Sequence, residues 1–360
     1  MVPFGFAFVF TVLVLPFYIS WLKRLQIGQF IREEGPASHV AKAKTPTTGG
    51  VLFVLAVSVS LIVFSILTDH YSMVAIATTI LAAACALLGL TDDLAKFMNR
   101  ANRGLSAASR LLLEMLFGAI FGLFLLYIQP QAKDLIVSMS SFVTSAGLAT
   151  AHVLTLPNFV FVGLAIAMIA STTNSVNLND GMDGLAAGVA LPILLTLSIM
   201  LTKTNNLSLA LIAMSCAGAL TAFLFFNCYP ARVFMGDVGS LFLGGLLGAL
   251  VLASGLTIWF IPLASIYILE ALSVIIQVSV FKLTKAYEPP LPMNKLSLTI
   301  YKLTHKLPGE GKRIFRMSPL HHHFEAVLAE KGIPEWQVVL GFWLVQLVIC
   351  FAVLAAFSRF

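Results

Sequence analysis

Five aspartates sit in short polar breaks between long apolar runs. Asp92 and Asp93 lie in GLTDDLAK (89–96), Asp180 and Asp183 in NSVNLNDGMDG (174–184), and Asp237 in FNCYPARVFMGDVGS (226–240). Solvated loop acids are the plainest explanation. Against it, the breaks are short, they are hemmed by apolar segments, and Asn174, Asn177 and Asn227 accompany the acids. Ionisable groups at membrane depth are costly and are usually functional. Carboxylates with amide partners and no cysteine ligand suit a hard, oxygen-loving cation. Magnesium takes one or two carboxylates together with substrate phosphates. MGDVGS also opens an apolar run, so free N–H groups at a helix start there suit an anion. Lys42, Lys96, Arg103 and Arg110 are placed to offset phosphate charge. Together these point to phosphoryl transfer involving a lipid. No GxxxxGK phosphate loop is present, which excludes a P-loop ATPase.

The elements that must position these groups are membrane spans. The chain has 360 residues, 59% hydrophobic and 11% charged, against roughly 25% charged in soluble domains. About 20 apolar residues cross a bilayer core. Ten runs qualify: 2–22, 49–68, 72–91, 109–128, 157–176, 184–202, 207–226, 238–256, 260–281 and 337–358. The expected fold is therefore an all-α polytopic membrane protein, one integral domain over 1–360, with a long loop 282–336 before the last span. Ten crossings put loops 23–48, 92–108, 177–183, 227–237 and 282–336 on one side. That side carries 19 of the 22 basic residues; only Lys133, Lys203 and Arg359 fall opposite. By the positive-inside rule it is cytoplasmic and both termini are periplasmic. The net charge of +6 then needs no nucleic-acid partner. The same parity brings all five aspartates to the cytoplasmic face.

Local spacing adds detail. Asn174 and Asn177 share a helix face, whereas a continued helix would carry Asp180 and Asp183 off it. Gly181 and Gly184 permit a break that keeps all four on one pocket. Glu114 and Glu270 lie within spans and read as interhelical hydrogen-bond partners. Trp21, Trp336 and Trp343 read as interfacial anchors. In LHHHFE, successive side chains of a helix point about 100° apart, so His321, His322 and His323 cannot share one ion. One of them, His321, is expected to reach the phosphates or the aspartates. His39 divides evenly between site and scaffold. Met293, Leu296, Ile300, Leu303 and Leu307 recur at helical spacing with Lys295, Lys302 and Lys306 elsewhere, which predicts a helix on the membrane surface.

With these residues in view, the chain resembles the phospho-N-acetylmuramoyl-pentapeptide transferases, the MraY family. The resemblance rests on GPASHVAKAKTPTTGG (35–50), DDLAK (92–96), NSVNLNDGMDGLA (174–186), FFNCYPARVFMGDVGSL (225–241), EALSVIIQ (270–277) and RIFRMSPLHHHFE (313–325). It implies transfer of phospho-MurNAc-pentapeptide from UDP-MurNAc-pentapeptide to undecaprenyl phosphate, giving lipid I and UMP, in the bacterial inner membrane. It further implies a magnesium cofactor and a homodimer. By matching positions, Asp237 would coordinate the metal with Asn177 and Asp180. Asp92 and Asp93 would face the lipid phosphate. Asn174 and Asp183 would help shape the nucleotide pocket, Asn227 and Phe234 would meet uracil, and Lys42, Thr47, Lys96 and His321 would complete the cleft. Two departures stand out: Ala108 occupies a position where the family pattern has a basic residue, and the loop after 282 is longer than usual.

Two mechanisms fit these residues. An aspartate attacks the β-phosphate and forms a phospho-enzyme, or Asp93 prepares the lipid phosphate for direct attack. Two rival functions share parts of the pattern. A sister transferase using UDP-GlcNAc would carry the same aspartates. A secondary transporter would place its acids midway along spans and often carry inverted repeats, and no internal repeat is visible.

Overall fold

The computed structural model describes residues 1–25, 45–68, 72–98, 104–140, 150–287, 289, 293–305 and 307–359. Ten long apolar helices account for the ten predicted runs. They are α1 (Val2–Arg24), α2 (Val51–Thr68), α3 (Met73–Met98), α4 (Ala107–Ile128), α5 (Asn158–Asn179), α6 (Leu185–Lys203), α7 (Leu207–Asn227), α8 (Gly236–Ser254), α10 (Ser265–Leu283) and α13 (Glu335–Arg359). Nine are long and apolar enough to cross a bilayer, and α2, with 18 described residues, lies at the lower end of the spanning range of roughly 17–25. Three shorter helices are α9 (Thr257–Leu263), α11 (Lys295–Thr304) and α12 (Leu320–Ala329). The run predicted as 260–281 is divided. Gly255 ends α8 with φ +72°, α9 follows, and the spanning helix starts only at Ser265.

Helix α8 is the axis of the bundle. Every residue from Val238 to Ser254 is buried, and α3 and α5 form its main walls. Close approach depends on absent side chains. A Cβ on Gly89 of α3 would overlap the Asp237 carbonyl, and one on Gly244 would meet Thr172 and Thr173 of α5 at 2.5 Å. Membrane helices associate through such small residues because lipid offers no hydrophobic drive between them. The segment before α2 is fixed in the same way. The Gly49 N–H donates to Phe234 O (2.8 Å), Gly50 N–H to Met235 O (3.0 Å), and Phe234 N–H to Pro46 O (2.8 Å). TPTTGG thus forms a short ladder with the strand-like residues leading into α8.

A feature outside the all-helical expectation lies at the other end of α8. Strands β1 (Asp134–Ser140) and β2 (Thr150–Thr155) form an antiparallel hairpin, tied by Ile136 N–H to Gly255 O (2.8 Å). Trp343, read as an interfacial anchor, packs its ring inward on α6. Its indole N–H reaches Gly184 O (3.2 Å), and its ring occupies the space that a side chain at Gly188 would need.

Gly89→Ala should cost roughly 1–3 kcal/mol of stability, because overpacking here presses on backbone. Gly5, with open space around it, should tolerate alanine within about 0.5 kcal/mol. Thermal unfolding of the two variants in detergent distinguishes them, and equal losses would contradict the α3–α8 packing.

Candidate active site

Helix α3 delivers Asp92, Asp93 and Lys96 on its last turns, and α8 delivers Asp237 on its first. The Lys96 ammonium sits between them, 2.7 Å from Asp92 Oδ2 and 2.5 Å from Asp237 Oδ2. The second Asp92 oxygen accepts the Leu105 N–H (2.6 Å). The second Asp237 oxygen accepts the Asn177 amide (2.7 Å), which also lies 2.9 Å from Ser240 Oγ. Asp93 turns to the start of α8, where its Oδ2 accepts the Val238 N–H (3.2 Å). The anion that meets the α8 N-terminus is therefore an internal carboxylate, favoured there by the helix dipole. Gly236, at φ +70°, keeps this corner open: a Cβ there would lie 2.6 Å from Asp93 Oδ2 and 2.8 Å from Thr47 Oγ1.

Helix α5 supplies the third wall. Its last two turns carry Asn174 and Asn177, and Asp180 follows as its C-cap. Arg110 of α4 donates to Asn174 Oδ1 (2.9 Å) and Asn177 Oδ1 (3.4 Å), and stands 3.8 Å from Asp237 Oδ2. Behind it, buried Glu114 pairs with Arg110 and accepts from the Asn174 amide. The predicted interhelical role of Glu114 thus takes the form of a brace for the pocket. Asp180 is pushed well above the usual carboxylate range, first by burial and then by the charges of Asp237, Asp93 and Asp183. Among the described residues no cation pairs with it.

The chain does break between α5 and α6, but not all four polar residues enter one pocket. Asp183 faces the 228–235 loop, where its Oδ2 accepts the Ala231 N–H (2.9 Å), and its own N–H donates to Glu335 (3.1 Å). Asn227 is likewise buried and donates to Val233 O (2.9 Å). Both brace the loop that carries half-buried Phe234. His321 is fully buried. Its N–H and Nδ1 face the Glu270 carboxylate at 3.1–3.3 Å, and its Nε2 abuts Gly181, next to Asp180. His322 turns to Glu325 (2.8 Å), and His323 Nδ1 accepts the Arg316 N–H (3.2 Å). Only His323 turns away as the helical spacing predicts: the His321 and His322 rings lie with centroids 4.2 Å apart, and both Nε2 atoms face Gly181. Lys42 and His39 lie outside the described residues.

Apart from the Lys96 and Arg110 cations and the His321 ring behind Gly181, the groups around Asp180 and Asp237 are carboxylate, amide and hydroxyl, and carboxylates outnumber the cations. That chemistry fits a hard divalent ion. Among the described residues no cluster of three His, Cys, Asp or Glu ligands is already assembled, and Lys96 and Asn177 hold Asp237 instead. Arg110, read as a phosphate-offsetting charge, and Glu114 and Glu270, read as interhelical partners, join the network, and Ser240 and Glu335 complete it beyond the residues singled out in the sequence. The legible signal for the two membrane glutamates was their cost inside a span.

Residues 73–255 match the glycosyl transferase family 4 model. Over nearly full length the chain is similar to proteins named phospho-N-acetylmuramoyl-pentapeptide-transferase. The Anoxybacillus flavithermus protein is 36% identical over 357 residues, covering 98% of this chain and 95% of that one. The Moorella thermoacetica protein is 36% identical over 350 residues, covering 97% and 96%. The Clostridium beijerinckii protein is 33% identical over 352 residues, covering 97% and 94%.

Glu270→Ala would leave the His321 N–H and ring nitrogen buried without their acceptor, at about 1–3 kcal/mol. Helix α12 should loosen, and trypsin should cut faster at Arg316 and Lys331. Unchanged melting and cleavage would show that Glu270 does not hold α12.

Proposed function

The chain belongs to the phospho-N-acetylmuramoyl-pentapeptide-transferase family, and from that membership and the site geometry we infer its reaction in detail. It transfers phospho-MurNAc-pentapeptide from its UDP carrier to undecaprenyl phosphate, producing lipid I and UMP in the bacterial inner membrane. The single observation that carries the site assignment is the meeting of α3, α5 and α8 around Lys96 and Asp237. The surplus of basic residues in the loops on this side supports a cytoplasmic cleft with both termini periplasmic. A homodimer remains part of the proposal through family resemblance alone.

Asp237 and Asp180, with Asn177 behind them, would hold magnesium, whose charge when bound polarises the diphosphate. Lys96 and Arg110 then face the transferred phosphoryl group and stabilise its charge. Asp92 is engaged by Lys96 and the Leu105 N–H, and Asp237 by Lys96 and Asn177. Asp93 accepts the backbone N–H groups of Val238 (3.2 Å) and Asp237, and among the described residues no side-chain cation pairs with it. This supports Asp93 as the group that takes a proton from the lipid phosphate. A lipid-phosphate oxygen then attacks the β-phosphorus directly, the bond to the bridging oxygen breaks, and UMP leaves. Thr47 and Phe234 flank the corner where the nucleotide would enter, and His321 backs the Asp180 turn.

Purified protein given UDP-MurNAc-pentapeptide, undecaprenyl phosphate and magnesium should release UMP, and UDP-GlcNAc should not replace the donor. Asp93→Asn and Asp237→Asn should each slow release at least about a hundredfold while the chain stays folded. Full turnover in both would remove the site assignment. Direct attack predicts inversion at the transferred phosphorus, whereas retention would require a covalent phospho-enzyme.

A further inference from the structure

The long loop after α10 builds a second basic site away from the aspartates. Residues 282–316 hold eight Lys or Arg and two Glu. Part of this segment folds back as α11, capped by Asn294, whose Oδ1 accepts the Ser297 N–H (2.7 Å). Between α11, the end of α10 and residues 313–318 lies an open cavity of about 1020 Å³. That is at the upper end of the roughly 300–1,000 Å³ of small-molecule sites. Lys282, Lys285, Lys302, Arg313 and Arg316 line it. Arg316 is paired with Glu330; the other four have no carboxylate partner among the described residues.

Those four are oriented rather than neutralised. Lys282 donates to Leu303 O (2.6 Å), Lys285 to Leu307 O (2.6 Å), and Lys302 to Lys285 O (2.8 Å). Arg313 and Lys285 lie over the Phe281 ring, at 5.8 and 5.1 Å. Capping of helix ends is the plain explanation for the lysines. Its magnitude is too small, because each helix C-terminus offers about half a negative charge. Two ends set against four cations leave a surplus of about three. The surroundings are apolar. Leu296 and Ile300 of α11 are 70% and 52% exposed, Ile314 is 54% exposed, and Ile275 on the flank of α10 is 60% exposed. A charged hollow beside bare apolar surface, at the end of a membrane-spanning helix, matches an amphiphile with an anionic head.

We propose that this cavity binds the phosphate headgroup of an anionic bilayer phospholipid, with its acyl chains against α10 and the outer face of α11. The site is separate from the catalytic cleft and is made by the extended loop. It assigns α11 to holding lipid as well as resting on it.

The test uses the full chain in detergent with three probes: phosphatidylglycerol, phosphatidylcholine and inorganic phosphate. Native mass spectrometry should show phosphatidylglycerol retained over phosphatidylcholine, and it alone should raise the melting temperature. Lys285→Gln/Lys302→Gln/Arg313→Gln keeps hydrogen-bond donors but removes three charges. It should weaken phosphatidylglycerol binding on the order of a hundredfold, at about fivefold per charge. Equal binding of the two lipids by the unaltered chain would overturn the proposal. So would undiminished phosphatidylglycerol binding by the triple variant, or equal stabilisation by inorganic phosphate.

Discussion

One ammonium group joins the two helices on which the site depends. Lys96 lies within hydrogen-bond reach of Asp92 on its own helix and of Asp237 on α8. Two unit charges 4 Å apart attract by about 4 kcal/mol at an effective dielectric of about 20. Without that cation, carboxylates from α3 and α8 would face one another near Asp180 at the edge of a low-dielectric bundle. Such a gathering is stable only with a compensating charge close by, and Arg110 adds a second one. The same constraint concentrates negative charge at the pocket and sets cations at its rim, the features on which the proposed binding of a divalent ion and a diphosphate rests.

Backbone geometry gives this charge cluster its shape. Gly89 and Gly50 let α3 and the TPTTGG segment approach α8 closely enough for side chains from all three to reach one corner. Asp93 closes the α8 N-terminus. Asp183 and Asn227 spend their hydrogen bonds on the loop between α7 and α8. Polar residues within one motif therefore divide into those that hold the loop and those that line the Asp237 pocket. Glu270 plays the holding part for α12, so that His321 lies behind the Asp180 turn.

Much of this was legible in the sequence. Apolar runs longer than a bilayer is thick have few alternatives to spanning it, and crossing parity then predicted that Asp92, Asp180 and Asp237 would meet. The division of labour among the polar residues was not legible. Whether Asn227 faces uracil or Val233 O depends on a loop conformation that neither composition nor spacing specifies. Trp343 lies near a span end, as an interfacial anchor would, yet Gly188 opens a slot for its ring, a fact about two distant segments. The α8–α10 corner was blurred because apolar residues continue through Gly255 and α9. The 134–155 hairpin was hidden because its strands lie in a connection read only as a loop. Arg110 was visible as a compensating charge, but its bonds to both asparagines required the fold.

The central claim is that Lys96 and Asp237 act as one unit across α3 and α8, and a double-mutant cycle on unfolding free energy measures it most directly. Lys96→Met and Asp237→Asn, singly and together, should be non-additive by about 1–3 kcal/mol, in the range of directly contacting charged residues. Additive losses within about 0.5 kcal/mol would contradict the account.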